Sequence, residues 1–337
     1  MAIKVSATKL RSFQECPMLY WLTYHAEIKP KPPQWVKKVF GKTVHLWVER
    51  QYRLTPRQRQ GRIKQGITQL SAKSAKSAAG MWYHIWGEAL KEENANPRIF
   101  PRGCPIRFEG NTIAEIKEEK DKYSGLGAKM AVRYWTDNCD APFPEAVEKR
   151  FQNLPCPGRD DIHLNGVIDQ IRIIDGQYWI VDIKTSYQDY GEEDPRIQYV
   201  VHHDPQFTFY SWSFRLIYST EEAGIIRYPL GQKRCRITGD IIDKNAIITS
   251  RGIEDYQHLT VMINFFVTCL EKGIFPRHIS NGCLNCDYLE PCAYPELFCT
   301  KPVPVGKLLW GEIDQAKIMK QLEEQAELQQ FSRPRLL

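Results

Sequence analysis

The chain has 337 residues, 42% of them hydrophobic, which is enough to bury one large core or two smaller ones. Its 46 Lys and Arg against 40 Asp and Glu give a net charge of +6, which is compatible with a polyanionic partner but is weak support for one. No apolar run approaches the length of a membrane span, and the N-terminus has no signal-peptide pattern. We therefore expect a soluble, cytoplasmic protein without a membrane partner.

The N-terminal region is predicted to be helical, with one break. Ser6 is a suitable N-cap for a first helix, and Cys16-Pro17 interrupts the helical pattern before it resumes. After a proline-containing loop, residues 35–50 predict a further helix that carries His45, in the sequence Gly41-Lys42-Thr43-Val44-His45. A single histidine beside apolar residues is more often a core residue than a metal ligand, so these residues alone leave its role open.

A basic segment without acidic side chains covers residues 50–87. Its eight basic residues are Arg50, Arg53, Arg57, Arg59, Arg62, Lys64, Lys73 and Lys76. Trp82, Tyr83 and Trp86 lie at its end, and basic residues with aromatic rings can bind phosphates and stack on bases. We predict a helical insertion that contacts nucleic acid. The alternative is a solvated helix face with its aromatic residues in the core.

Two strands in a hairpin are predicted next. Residues 164–174 and 178–183 are rich in β-branched side chains, and Asp175-Gly176 between them is a strong hairpin signal. The first strand carries Asp169. The second carries Asp182 and Lys184, which are two residues apart and so point to the same face. Two carboxylates on buried strands suit a hard cation such as Mg²⁺ or Mn²⁺. An exposed ion pair on an edge strand is the alternative for Asp182 and Lys184.

Four cysteines have metal-ligand spacing. Cys283-Leu284-Asn285-Cys286 is followed by five residues and then Cys292, while Cys16 lies near the N-terminus. Ten cysteines in a chain without a secretory signal indicate metal binding more than disulfides, and zinc or an iron–sulfur cluster would suit them. Cys299 is a spare candidate. The others are expected to be packing residues: Cys104, Cys139, Cys156, Cys235 and Cys269.

Together these motifs resemble the PD-(D/E)XK nuclease superfamily. Asp169 matches its Asp, and Asp182-Ile183-Lys184 matches its (D/E)-x-K triplet. Gly41 to His45 matches the G-x-x-x-H helix of the RecB-type branch, and Gln206 to Tyr210 matches its Q-x-x-x-Y helix. The cysteine layout is similar to that of the iron–sulfur members of this branch, the CRISPR-adaptation and AddB-like nucleases.

The resemblance implies a role for each matched residue. The metal ligands for Mg²⁺ or Mn²⁺ would be His45, Asp169, Asp182 and the Ile183 carbonyl. Lys184 would position or help deprotonate the attacking water, and Gln206 and Tyr210 would orient the DNA strand near the scissile phosphate. Glu148, on the strand before Asp169, would bind the metal or support a ligand, with a solvated strand residue as the alternative. Cys16, Cys283, Cys286 and Cys292 would hold a structural [4Fe–4S] cluster.

The fold class implied is α/β (α+β), a PD-(D/E)XK core with a central mixed β-sheet flanked by helices, a helical insertion and a C-terminal cysteine segment. The expected divisions are N-terminal helices with Cys16 and His45 in 1–50, the basic insertion in 51–140, the nuclease core in 141–275, the iron–sulfur segment in 276–300 and a C-terminal helix in 301–337.

The function implied is that of a metal-dependent deoxyribonuclease, an exonuclease acting on single-stranded DNA or DNA ends in recombination or repair. No G-x-x-x-x-G-K-[ST] motif occurs, so the chain has no P-loop motor. Besides DNA, expected partners are proteins of a recombination, replication or CRISPR complex, in the cytoplasm of a bacterial, archaeal or phage-infected cell. The alternatives are a non-catalytic DNA-binding or assembly subunit and a zinc-stabilised binding module.

Overall fold

The structure is a computed structural model that describes residues 2–28, 34–52, 70–91, 106–185, 195–230, 237–238, 241–242 and 246–301. The strands are β1 Ile3–Val5, β2 Gln34–Trp35, β3 Ile106–Arg107, β4 Ala146–Cys156, β5 Arg159–Ile174, β6 Gln177–Lys184, β7 Gly224–Pro229, β8 Ile237–Thr238, β9 Ile241–Ile242 and β10 Ile247–Thr249. The helices are α1 Ala7–Glu15, α2 Pro17–Tyr24, α3 Val36–Gln51, α4 Ala75–Leu90, α5 Ile113–Asn138, α6 Pro195–His203, α7 Pro205–Tyr218, α8 Ile253–Lys272, α9 Leu289–Ala293 and α10 Pro295–Phe298, with a 3₁₀ turn at Asn281–Asn285.

A mixed sheet in the order β1-β5-β6-β7-β10 forms the centre, and β4 pairs with β5 off this path. The β5–β6 and β4–β5 pairs are antiparallel, whereas β1 runs parallel to β5 and β7 parallel to β6. The parallel β6–β7 pair needs a crossover, and the described part of that crossover is helices α6 and α7. This architecture confirms the predicted mixed α/β fold.

The hairpin turn predicted at Asp175-Gly176 joins β5 to β6 in the structure. Both residues have positive φ, 51° at Asp175 and 73° at Gly176. Two left-handed residues in a row are what a two-residue type I′ turn requires, and Asp and Gly adopt that conformation more easily than other residues. The turn fixes the register, in which Ile174 faces Gln177 and Gln170 faces Val181.

Each face of the sheet is covered by its own set of helices. Ile180 of β6 belongs to a core that includes residues of α1, α2, α7 and α8. Val181 and Ile183, on the opposite face of the same strand, belong to a second core with residues of α3, α4 and α5. The alternation follows from the period of two along a strand. Because of this alternation, Asp182 and Lys184 point toward the first set of helices. Helix α3, which carries His45, packs on the other face of the sheet.

The helical insertion packs differently from the prediction. Trp82 and Trp86 of α4 are buried, with exposed fractions of 1% and 2%, and their rings stack on each other at 5.8 Å. They are core residues, so the expectation that they stack on bases is wrong. Tyr83 is exposed. Gly127 of α5 makes this packing possible, because a Cβ there would lie 2.0 Å from the Trp82 ring.

Some predictions fall outside the described residues. These are the basic residues from Arg53 to Lys64, Cys104, Cys235 and the expected helix after Lys301. Among the residues that are described, no helix combines the length and the apolar character needed to cross a membrane.

Candidate active site

The site forms where β5 and β6 separate. Their ladder ends at the pair Gln170 and Val181, so Asp169 and Asp182, the next residues in that register, are not paired with each other. The Ile183 N–H donates instead to Asp169 Oδ2 at 2.8 Å. Ile183 buries its side chain in the core beneath α3, which anchors this part of β6. The two carboxylates therefore lie at a gap in the sheet.

Three side chains from three elements meet at this gap. His45 Nδ1 of α3 lies 3.5 Å from Glu148 Oε1 of β4 and 3.5 Å from Asp169 Oδ1 of β5. One ligand atom from each lies within 4.8 Å of the others. The register explains the contact between the strands, because β4 pairs Val147 with Gln170 and Lys149 with Ile168, which sets Glu148 across from Asp169.

Glu148 has an unusual backbone conformation. Its φ is 48°, in the left-handed region that a glutamate seldom adopts. Such strain costs on the order of 1–3 kcal/mol and tends to persist at functional sites, where the surrounding structure holds it in place. The structure places Glu148 beside His45 and Asp169, which does not fit the alternative of a solvated strand residue.

The charges at the gap act strongly on one another. Burial alone would lower the pKa of His45, but the Asp169 and Glu148 carboxylates outweigh it and raise that pKa to about 9. Burial also raises the pKa of Asp169, with added repulsion from Asp182 and Glu148, while the charge of His45 opposes the rise. Carboxylates crowded in this way gain from a cation among them.

Asp182 lies between Lys184 and α7. Its Oδ1 accepts hydrogen bonds of 3.1 Å from Lys184 Nζ and from Gln206 Nε2. Its Oδ2 is buried and lies 2.9 Å from Lys184 Nζ, yet among the described residues it accepts no hydrogen bond. Gln206 Nε2 also donates to the Tyr210 hydroxyl at 2.7 Å. The structure thus brings together Asp182, Lys184, Gln206 and Tyr210 as the motifs predicted.

At two positions near the site, Gly166 and Gly41, the space available for a side chain is small. A Cβ at Gly166 would lie 2.6 Å from the Phe151 ring, which crosses β5 from β4 three residues before Asp169. A Cβ at Gly41 would lie 3.3 Å from Thr185 Oγ1, so a glycine there lets α3 approach the end of β6 closely. Each glycine therefore brings a site-bearing element near its neighbour.

Arg227 belongs to the site and was missed by sequence reasoning. It lies on β7 directly beside Asp182 in the parallel register. Burial lowers the pKa of Arg227, and the charge of Asp182 opposes this. No local motif surrounds Arg227, and only the pairing of β6 with β7 reveals its position.

The donors at the gap fit a hard divalent cation. Carboxylate oxygens from Asp169 and Glu148 and one imidazole nitrogen already converge, and the Asp182 carboxylate, which pairs with Lys184, is close enough for its charge to add to burial in raising the pKa of Asp169. Mg²⁺ and Mn²⁺ prefer such oxygen-rich ligand sets. Beside these residues, a cleft of about 560 Å³ reaches Asp169 and Tyr210.

The four predicted cluster cysteines also come together in the fold. Cys16 lies between α1 and α2, and its Sγ accepts a hydrogen bond of 3.4 Å from the N–H of His278, just before the C-terminal cysteines. Burial raises the pKa of the Cys292 thiol; the charge of Arg277 opposes the rise, and neighbouring Cys16, Cys283 and Cys299 add to it. Burial likewise raises the pKa of Cys286. All four are free thiols in the structure.

Comparison with known proteins agrees with this geometry. The sequence profile of the PD-(D/E)XK nuclease superfamily matches residues 4–293, so the chain belongs to that superfamily, whose members are usually metal-dependent nucleases. No curated protein matches the chain. A solved structure titled "Crystal structure of SSO0001" is 13% identical, with 84% of this chain and 92% of that one covered, at a TM-score of 0.28. A likeness of that size supports no argument about fold or function.

Proposed function

We propose that the protein is a Mg²⁺- or Mn²⁺-dependent deoxyribonuclease of the RecB-type branch, an exonuclease acting on single-stranded DNA or DNA ends. The observation that carries this proposal is the convergence of His45, Glu148 and Asp169 within 4.8 Å, beside the Asp182–Lys184 pair. The G-x-x-x-H and Q-x-x-x-Y motifs support the choice of branch, because their His45, Gln206 and Tyr210 all lie at the site.

The metal ligands in this proposal are His45, Glu148, Asp169, Asp182 and the Ile183 carbonyl. A bound divalent ion would supply positive charge for the phosphate and would lower the pKa of a bound water. The distance of 3.5 Å between Glu148 Oε1 and His45 Nδ1 favours Glu148 as a direct ligand over a residue that only supports one.

The chain's own groups would then handle the water and the DNA. The Lys184 ammonium, held 2.9 Å from Asp182, can donate hydrogen bonds to the attacking water and to the phosphate, and so would position the water for attack. Gln206 fixes the Asp182 carboxylate and the Tyr210 hydroxyl at once, so it sets the orientation of both. Arg227, next to Asp182, adds a positive charge that would attract the phosphodiester.

We also propose that Cys16, Cys283, Cys286 and Cys292 hold a structural [4Fe–4S] cluster. A tetrahedral zinc site with bonds of about 2.3 Å needs sulfur atoms about 3.8 Å apart. Among the described residues, no three cysteine sulfurs lie within 4.8 Å of one another. In a [4Fe–4S] cluster each thiolate binds a different iron, so the four sulfurs do not have to converge on one metal atom.

The nuclease proposal is tested with anaerobically purified protein and end-labelled single-stranded and duplex DNA, in Mg²⁺, Mn²⁺ or EDTA. We expect metal-dependent cleavage that Asp182→Ala abolishes and that Asp140→Ala, at an exposed carboxylate, leaves unchanged. A ladder shortening from one end would support the exonuclease, and internal cuts would contradict it. A folded protein that binds DNA but fails to cleave it in either Mg²⁺ or Mn²⁺ would overturn the proposal in favour of a non-catalytic assembly subunit.

A further inference from the structure

A basic groove lies between α3 and α5, outside the carboxylate site. It encloses about 1050 Å³ and reaches Thr185, the residue that follows Lys184. Four lysines line it, Lys37 and Lys38 from α3 and Lys122 and Lys129 from α5, and the acidic residue among its described lining residues is Asp121. We call it the lysine groove.

Two of these lysines are available to a ligand. Lys37 pairs with Glu109, and Lys38 pairs with Asp287 at 2.6 Å. In the part of the chain that is described, neither Lys122 nor Lys129 has an ion-pair partner, and both are exposed. Among the described lining residues the four lysines outnumber Asp121, so the groove has an excess of positive charge, which attracts a polyanion.

The floor of the lysine groove is apolar. Phe40 of α3 and Tyr123 of α5 pack with their ring centroids 5.1 Å apart, and Leu126 lies beside them. Phe40 and Tyr123 are buried, with exposed fractions of 4% and 7%, so they shape the floor and do not offer free ring faces to bases. The lysines along the walls are the groups that would bind the phosphates of an unpaired strand. The volume is slightly above the roughly 300–1,000 Å³ range of small-molecule pockets, which is room for a few nucleotides of a single strand.

The groove leads to the catalytic residues along α3. Lys38, Gly41 and His45 follow one another at spacings of three and four residues, so they share one face of the helix. From Lys38 to His45 the rise is about 10 Å at ~1.5 Å per residue. One strand of B-DNA has a phosphate every ~3.4 Å of helix axis, and an unstacked strand is more extended, so this distance spans at most about three phosphates. Gly41 lies against Thr185 and adds no side chain between the groove and the site.

We propose that the lysine groove binds single-stranded DNA on one side of the scissile phosphate, with Lys122 and Lys129 contacting its phosphates. The proposal rests on the proposed nuclease function for its place in the reaction. Binding of the strand can be measured without cleavage. The proposal gives helix α5 of the insertion a role in substrate binding that no sequence motif indicates.

The test measures the affinity for labelled oligo-dT across a salt series, in EDTA, so that no strand is cut. Each phosphate contact in a single strand contributes a slope of about −0.7 to log K against log salt. The double variant Lys122→Ala/Lys129→Ala should therefore reduce the slope by about 1.4 and weaken binding at low salt. The matched control Lys117→Ala/Lys272→Ala removes two exposed lysines outside the groove and should leave the slope unchanged.

Several outcomes would overturn the proposal. One is an unchanged slope in the groove variant, and another is an equal loss in both double variants. A third is duplex DNA losing as much affinity as oligo-dT. Circular dichroism melting of both double variants checks that they are folded. If the groove variant keeps the wild-type slope and the wild type cleaves DNA with metal, the groove proposal is wrong and the nuclease proposal is not. If the groove variant has a reduced slope but the wild type cleaves DNA in neither Mg²⁺ nor Mn²⁺, the nuclease proposal is wrong and the groove still binds DNA.

Discussion

The carboxylate of Asp169 accepts a hydrogen bond of 2.8 Å from the backbone N–H of Ile183, across the gap where β5 and β6 stop pairing. In a continued ladder Asp169 and Asp182 would face each other as ordinary strand residues. The gap instead frees the backbone of β6 at Ile183, while its buried side chain keeps the strand in place. The middle residue of the Asp182-Ile183-Lys184 triplet therefore acts through its backbone as well as its packing.

Lys184→Ala is expected to reduce the cleavage rate by about 10²–10³-fold, the usual cost of losing a hydrogen-bond donor that stabilises charge in the transition state. Its ammonium lies 2.9 Å from Asp182, where a water attacking the phosphate could also be held. The affinity for oligo-dT in EDTA should stay close to that of the wild type, which separates catalysis from binding. Lys117→Ala serves as the control at an exposed lysine. Wild-type cleavage by Lys184→Ala would remove Lys184 from the mechanism.

Glu148→Gln is expected to weaken Mg²⁺ binding by about 10- to 100-fold, the effect usual for groups that support or complete a metal site. The substitution keeps the shape of the side chain but removes the charge that lies 3.5 Å from His45. Isothermal titration calorimetry gives the affinity, with Glu118→Gln on the exposed side of α5 as the control. Equal Mg²⁺ affinities for Glu148→Gln and the wild type would assign Glu148 a purely structural role.

Metal binding should release protons and should become tighter as the pH rises. The pKa of His45 is raised to about 9, so without metal its imidazole is mostly protonated at neutral pH, and only the neutral ring can bind a cation. The pKa of Asp169 is also raised, so its proton opposes metal in the same direction. Calorimetric Mg²⁺ titrations between about pH 7 and pH 9, in buffers of different ionisation enthalpy, count the protons. Affinity independent of pH, with no proton released, would contradict this account.

Much of the fold around the site was predictable because the sequence signals for these strands and helices are local. The Asp175-Gly176 turn sets the β5–β6 register, and a period of two then assigns Asp182 and Lys184 to one face. The helix of His45 was predicted within two residues at either end. Family motifs supplied Gln206 and Tyr210, which the structure joins to Asp182.

The rest depended on pairings that no local pattern records. Glu148 reaches His45 only because β4 pairs with β5 in one register, and Arg227 reaches Asp182 only through the parallel pairing of β7. The position of Trp82 at the end of a basic segment looks the same in the sequence whether the ring stacks on bases or is buried in a core. Its burial depends on the close approach of α5 at Gly127, more than 40 residues later in the chain.

Cys16→Ser is expected to abolish the iron–sulfur absorbance and to lower the thermal midpoint, because the free energy of metal binding is also free energy of folding. Cys16 lies between α1 and α2 and contacts the C-terminal segment through His278, so a cluster there would tie the two ends of the fold together. Cys139→Ser, in a cysteine at the end of α5, is the control. Cys299→Ser tests the spare candidate. Loss of the absorbance in Cys299→Ser but not in Cys16→Ser would reassign the fourth ligand.

Gly127→Ala is expected to destabilise the protein by about 1–3 kcal/mol, the usual cost of overpacking a core. The added methyl group would lie 2.0 Å from the Trp82 ring, which is buried and stacked on Trp86 and so has little room to move. Gly125→Ala, on the same helix with nothing within 4 Å of the added Cβ, should instead stabilise by about 0.5–1 kcal/mol through helix propensity. Urea unfolding measures both. If both variants gained stability, α5 would not be packed against Trp82 as closely as the structure shows, and the lysine groove that α5 borders would have a different shape.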